Sequence, residues 1–355
     1  MSALPSPLAV YALSAPALEA ARRLREGLPG AVLFLPRRLA GPGEEVFERF
    51  SAALEHNFTR FRGHLVFGAA GLVVRTLAGL MRHKAQDPAV VVLDPKGRFA
   101  VSLLSGHLGG ANRLAREAAR ILGGRAVITT ATDALGLPSL EVVADEADCR
   151  VENLEALAGL SARLLEGGRV PVWDPGGWLR PALAAWAERF SWLERPPHPQ
   201  REPGPLAWVD WRLGPSAPRW LVIRPPALAV GVGCNRGTPE EEIAAVVEEV
   251  LAAHGLARPA VACLASLSLK RHEPGLLALA RRWEVPILFH EPHQLQAVAV
   301  PTPSQLVARH VGTESVCEAA ALLAAGSGEL MVNKHKRGNV TVAVALRRPG
   351  ASSTW

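Results

Sequence analysis

The sequence predicts an α/β protein of more than one domain, and three observations carry that reading. From residue 8 onward, short apolar runs alternate with helical stripes, a βαβ rhythm that calls for parallel sheet. Glycine turns join a strand to a helix at residues 106–110 and again at 231–237. Between them, residues 195–219 hold seven prolines and read as an extended linker. The expected layout is an N-terminal parallel-sheet, Rossmann-like domain over 1–135. A less regular middle segment with the proline-rich linker follows over 136–225, then a separate C-terminal α/β domain over 226–355.

Taken in order, residues 8–13 form a strand, and Leu18, Ala21, Leu24 and Leu28 make a helical stripe that Pro16 introduces. Residues 31–35 are a second strand, and 44–61 read as one helix. Residues 64–68 are a strand running into glycines 68 and 71 and a helix over 72–80 that carries Arg75. Residues 89–93 are a strand and 94–97 a turn. The central unit follows. Residues 99–104 are a buried strand, and Ala111, Leu114, Ala115, Ala118 and Ile121 are a helical stripe. Gly123 and Gly124 stop that helix, and 126–130 are a further strand. Later elements are a strand at 141–144, helices at 153–166 and 180–190, and a strand at 170–173.

The C-terminal part restarts with a strand at 228–232. Thr238 is placed to cap a helix, Pro239 to begin it and Glu241 to close a capping box. Strands at 259–264, 286–289, 329–332 and 340–345 and helices at 273–283 and 316–325 complete it.

Composition narrows the function classes. The chain has 355 residues, 49% hydrophobic and 20% charged, enough for sizeable cores. No apolar run is long enough to span a bilayer, and the first ten residues lack the pattern of a signal peptide, so a cytoplasmic protein is expected. The four cysteines fall at neither metal-ligand nor redox spacing. The net charge of +6 is mostly arginine and is spread along the chain, with only 5% aromatic residues, which disfavours a nucleic-acid surface. Arginine forks instead suit a small polycarboxylate or phosphate; codon usage is the other explanation of the bias.

The turn at Gly106-His-Leu-Gly-Gly110 lacks the dinucleotide fingerprint. His107 is placed as a general base that the following helix keeps neutral, or as a structural histidine bonding to its own loop. Thr129, Thr130, Thr132 and Asp133 end a strand at what reads as the carboxyl edge of the sheet, where α/β proteins bind ligands. Asp133 could equally cap the next turn. Cys234 lies between strand and helix, where a thiolate is favoured, or is a small buried hydrophobe. The run from Lys334 to Arg337 reads as a solvated turn between strands. His290-Glu-Pro-His293 reads as a loop before a helix rather than a metal pair.

Together these stretches carry a resemblance. Gly71-Leu-Val-Val-Arg75, Asp87-Pro-Ala-Val-Val-Val-Leu-Asp94, Ser105-Gly-His-Leu-Gly-Gly-Ala-Asn112 and Thr129-Thr-Ala-Thr-Asp133 resemble the N-terminal domain of the CbiG family. Gly231-Val-Gly-Cys-Asn-Arg-Gly-Thr238, Leu264-Ala-Ser-Leu-Ser-Leu-Lys270, Val311-Gly-Thr-Glu-Ser-Val-Cys-Glu318 and Thr341-Val-Ala-Val-Ala345 resemble its C-terminal domain. The matches come in order and span nearly the whole chain. Asn235 stands where the family often has a second basic residue, and Ser268 where it commonly has an acidic one.

The resemblance implies a cobalt-precorrin-5A hydrolase of anaerobic cobalamin biosynthesis. Its substrate is a cobalt tetrapyrrole with acetate and propionate arms; water opens a ring A δ-lactone, and the C20 fragment leaves as acetaldehyde. The cobalt belongs to the substrate, so no separate cofactor and no protein metal site are expected. Neither nucleic acid nor membrane is expected as a partner, and neighbouring enzymes of the pathway are the protein partners in view. His107 or Asp133 is expected to act as base, with the N–H groups of Gly109 and Gly110 facing the oxyanion. Ser105, Asn112, Thr130, Thr132 and Cys234 are expected to line the substrate site. Arg75, Arg236, Lys270 and Lys334 are expected to hold carboxylates, in a cleft between the domains. A non-catalytic corrinoid carrier and a nucleotide-binding reductase are the competing classes.

Overall fold

The structure is a computed structural model that describes residues 4–83, 86–215, 217–301, 316–326 and 329–350. The chain divides into two compact units, Met1–Val143 and Ala144–Trp355.

The first unit runs β1 (Leu8–Ala12), α1 (Leu18–Gly27), β2 (Ala31–Pro36), β3 (Glu45–Phe47), α2 (Phe50–Asn57), β4 (Gly63–Phe67) and α3 (Ala70–Leu77). It continues with β5 (Ala89–Leu93), β6 (Phe99–Leu104), α4 (Ala111–Leu122), β7 (Arg125–Val127), α5 (Ala131–Ala134) and α6 (Leu140–Glu146), and α6 crosses into the second unit. The strand order is β3-β2-β1-β4-β5-β6-β7. Side chains of β1, β4 and β5 alternate between two cores. One lies under α1 and α4, and the other under α2 and α3. Strands covered on both faces read as continuous apolar runs, as 89–93 does.

This sheet is not wholly parallel. β1 to β5 run parallel, but β6 pairs antiparallel with β5, and β7 follows β6. The cause is the short link at 94–98. The Asp94 carboxylate accepts the Phe99 N–H at 2.8 Å, and Gly97 takes φ +67°. A link this short can only turn the chain back on itself, because a parallel return needs a long crossover. The turn after β6 therefore sits at the amino ends of β1, β4 and β5, not at their carboxyl edge.

Three local readings change. Residues 44–61 are not one helix: the edge strand β3 pairs with β2, and α2 starts at Phe50. The strand expected at 126–130 ends at Val127, because Thr130 is the N-cap of α5. Residues 141–144 are helical, within α6.

In the second unit, β8 (Arg150–Val151), α7 (Leu157–Leu165), β9 (Val170–Trp173), β10 (Phe190–Trp192), β11 (Leu206–Val209) and β12 (Trp220–Arg224) build a sheet of order β10-β9-β11-β12-β8. Only β8 is antiparallel to its neighbour. The segment 195–219 is thus more than a linker. Its proline-free stretch 206–209 is a fully buried central strand, and Trp208 stacks on Trp220 at 5.8 Å. Residues 184–189 form a 3-10 turn in place of the expected helix.

The remaining elements are β13 (Leu228–Cys234), α8 (Glu240–Ala253), β14 (Val261–Leu267), α9 (Pro274–Trp283), β15 (Ile287–His290), α10 (Pro292–Gln296), α11 (Val316–Ala325), β16 (Leu330–Arg337) and β17 (Val340–Leu346). Their sheet has the order β15-β14-β13-β17-β16. Gly231 is required by packing: a Cβ there would run into the Cys317 carbonyl of α11. The expected capping box is absent. Pro239 is the N-cap of α8, and the Thr238 hydroxyl instead donates to the Asn235 carbonyl at 2.9 Å. Residues 334–337 lie within β16 rather than in a turn, because β17 pairs with them and Gly338 and Asn339 make the reversal. Of the motif at 311–318, residues 311–315 lie outside the described residues.

Candidate active site

The turn between β6 and α4 has the sequence its geometry demands. Ser105 adopts φ +56° and Gly110 φ +84°. A Cβ on Gly109 would collide with Ser105, whose carbonyl oxygen would be 2.8 Å away. The turn is closed from within: Gly110 N–H donates to the His107 carbonyl at 2.8 Å, and Asn112 N–H to the Gly106 carbonyl at 2.9 Å. The Gly110 N–H is therefore spent and is not an oxyanion donor. Gly109 N–H makes no bond within the turn.

This packing aims the His107 ring at α5 and α6. Nδ1 lies 2.9 Å from Glu141 Oε1 and 2.9 Å from the Ser139 hydroxyl. Nε2 lies 3.0 Å from Asp133 Oδ2 and 3.4 Å from Thr132 Oγ1. Asp133 is held in turn: Asn112 Nδ2 donates to Oδ2 at 2.9 Å and Arg116 Nη2 to Oδ1 at 2.6 Å. Asn112 Nδ2 also lies 3.2 Å from the Thr130 hydroxyl. The Ser105 hydroxyl and Asn112 Oδ1 are buried with no hydrogen-bond partner, an unusual state for polar atoms outside a functional site.

The electrostatics reverse one expectation. His107 was expected to stay neutral beside a helix N-terminus. The hydrogen bond to the Glu141 carboxylate acts more strongly; burial opposes it, Asp133 adds to it, and the imidazole is raised above its usual value. Burial pushes the Glu141 carboxyl up, but the His107 and Ser139 hydrogen bonds outweigh it and hold that group below the usual range. A ring with a carboxylate on each nitrogen carries its proton as a cation until the pH rises past that raised value.

Of the expected site residues, Ser105, His107, Gly109, Gly110, Asn112, Thr130, Thr132 and Asp133 converge. Arg75 does not join them. It lies on α3 after the carboxyl end of β4, at the opposite edge of the sheet, because β6 runs the other way. Glu141, Ser139 and Arg116 are part of the constellation and were not anticipated. Ser139 just ahead of an acidic residue is a helix-start signal, and reading 141–144 as a strand hid it.

In the second unit, Cys234 ends β13, and Lys270 follows the carboxyl end of its parallel partner β14. Glu273 ties their loops together: it accepts the Gly237 N–H at 2.9 Å and pairs with Lys270 Nζ at 3.0 Å. Arg236 is exposed on the turn. Burial pushes the Cys234 thiol up, so the thiolate expected there is disfavoured. The Ser268 hydroxyl donates to Glu291 at 2.8 Å. Lys334 lies partway along β16, where its N–H donates to the buried Glu318 at 2.9 Å. The expected loop at 290–293 is only Glu291: His290 ends β15 and His293 lies in α10, which Glu291 caps in a capping box with Gln294. Among the described residues, no cluster could hold a metal ion and no helix is long and apolar enough to cross a membrane.

Three family models match in sequence order: Cobalamin synthesis G N-terminal over 52–133, Cobalamin biosynthesis central region over 138–225 and Cobalamin synthesis G C-terminus over 228–345. The chain is 33% identical over 300 residues to a cobalt-precorrin-5A hydrolase of Priestia megaterium, covering 81% of this chain and 79% of that one. It is 32% identical over 351 residues to a cobalt-precorrin-5A hydrolase of Salmonella typhimurium, covering 96% and 98%. Protein CobE of Sinorhizobium sp is 38% identical over 121 residues, 33% of this chain and 79% of that protein. With all three parts matched and likeness extending from end to end, the chain belongs to the CbiG family of cobalamin-synthesis proteins.

Proposed function

We propose that the chain is a cobalt-precorrin-5A hydrolase, opening the ring A δ-lactone of that tetrapyrrole with water and releasing the C20 fragment as acetaldehyde. The product is cobalt-precorrin-5B. The end-to-end likeness to curated hydrolases of that substrate carries this reading. The cobalt enters and leaves with the substrate, so the reaction needs no resident cofactor. Neighbouring enzymes of the pathway would supply the substrate and take the product.

The residues around His107 supply what the chemistry needs. Water must lose a proton as it adds to the lactone carbonyl, and the C20 hydroxyl must lose one as the carbon–carbon bond breaks. In the second step the bonding pair passes into the macrocycle, and C20 becomes the aldehyde carbon. We assign the proton transfers to Nε2 of His107, which acts as base in the neutral form of the ring, reached as the pH passes its raised value. Glu141 keeps Nδ1 protonated and fixes the ring, in the way a carboxylate orients a catalytic histidine elsewhere. Asp133, anchored by Arg116 and Asn112, balances the imidazolium once formed.

The test is acetaldehyde release on mixing the protein with cobalt-precorrin-5A. Turnover by wild type with none by His107→Ala supports the reading. Tight binding of the corrinoid without acetaldehyde from wild type makes the protein a carrier and overturns it.

A further inference from the structure

We infer that a cavity on the far face of the His107 turn is a carboxylate subsite, taking one acetate or propionate arm of the substrate on Arg113 and Arg62. This rests on the functional reading above. The turn has two faces. His107 points to α5 and α6, whereas Leu108 and Gly109 border a cavity of about 350 Å³. Its lining is mainly polar, with apolar patches from Pro5, Phe58 and Leu108 and positive charge from Arg62 and Arg113.

Arg113 is the observation that points to a ligand. It borders the cavity, half-buried near the start of α4, with its Nη1 atom sealed from solvent. Among the described residues no carboxylate pairs with it. A half-buried guanidinium without a counter-charge favours an anion in the cavity it borders. Asp87 also borders the cavity, but its two carboxylate oxygens accept the Arg82 N–H at 3.0 and 3.1 Å.

The shape and chemistry select the ligand. Arginine forks grip carboxylates through paired hydrogen bonds, and apolar patches suit the methylene stem that carries them. The volume is at the low end for small-molecule sites, which fits an arm rather than a macrocycle. An arm held here would bring the substrate against the turn that carries His107. Inorganic phosphate offers similar acceptors and is the competing source of an anion.

The experiment compares wild type, Arg113→Met and the surface variant Arg62→Met in steady-state turnover of cobalt-precorrin-5A. Losing a charge-assisted contact to a ground-state arm should raise KM by roughly 10- to 100-fold for Arg113→Met, with kcat within about threefold of wild type. Arg62→Met should raise KM less. It also keeps the test alive if Arg113→Met folds poorly, since Arg62 is exposed. Unchanged KM in both variants overturns the assignment. Competitive inhibition by inorganic phosphate that Arg113→Met abolishes, with KM unchanged, makes the cavity a free-anion site and also overturns it. If wild type releases no acetaldehyde, the functional reading fails separately. Absorbance titration of the same corrinoid then judges the cavity: the same rise in Kd for Arg113→Met upholds it, and an equal Kd sinks it.

Discussion

His64 and His107 belong to the same unit, and each sets both ring nitrogens against a partner, yet they are opposite kinds of residue. His64 lies on β4 with no exposed surface, packed among Tyr11, Phe58 and Phe61. Its Nε2–H donates to the Phe58 carbonyl at 3.3 Å, and the Tyr11 hydroxyl faces Nδ1 at 3.5 Å. Burial drives its imidazole down to about 4, only weakly opposed by the Phe58 hydrogen bond. His107 keeps a fifth of its side chain in water and has an acid at each nitrogen. The difference teaches that burial without an acidic partner silences a histidine here, whereas carboxylate partners outweigh burial at His107 and keep it able to do proton chemistry near neutral pH.

The largest effect that tests the contrast is on turnover. His107→Ala should cut kcat for acetaldehyde release by about 10³-fold or more while leaving the thermal transition near wild type. His64→Leu should act on the fold instead. Near neutral pH both folded and unfolded forms hold His64 neutral. As the pH falls below 6.5, the unfolded chain takes up a proton that the folded chain refuses until about pH 4. Stability should therefore fall with falling pH across that window, at about 1.4 kcal/mol per unit and about 3 kcal/mol in all. In His64→Leu that slope should flatten. Denaturant titrations at a series of pH values read it directly, and an unchanged slope would assign the loss to other groups.

A third experiment isolates the carboxylates that separate the two histidines. Glu141→Gln removes the strongest influence raising the His107 imidazole while keeping a hydrogen-bonding side chain at Nδ1. Turnover should drop by about 10- to 100-fold, as for other residues that orient a functional histidine. The rising limb of kcat/KM against pH should also move to lower pH. A loss of rate with no movement of that limb would mean that Glu141 only supports the fold.

Much of the fold was legible because strands buried on both faces read as unbroken apolar runs, as at 63–67 and 89–93. The helix α4 was legible from its stripe and its glycine stop; Gly123 takes φ +71° there. What escaped was strand direction. The turn at 94–97 was visible, but its consequence, an antiparallel β6, moves the His107 turn to the other edge of the sheet and separates it from Arg75. The octapeptide around His107 was legible as a site because glycines, a histidine and an asparagine coincide there. Glu141 was not, because its role depends on a contact between residues 107 and 141 that no local pattern encodes. Leu206–Val209 was obscured by the prolines on either side; its burial is a property of the sheet it joins.

The smallest effect lies at the alkaline end, and its sign is opposite to that of His64. A histidine whose folded value is raised contributes stability that is fully present below pH 6.5 and is lost as the pH climbs through the folded value. Unfolding free energy should thus decline gently above pH 6.5 as His107 gives up its proton between Glu141 and Asp133. The decline should be shallower than the acid limb, because water still reaches this ring and screens the pairs. His107→Gln should remove the alkaline decline and leave the acid limb intact, whereas His64→Leu should do the reverse. If one substitution flattened both limbs, the two histidines would be coupled through the sheet between them, and the separation of a structural histidine from the one proposed as catalytic would fail.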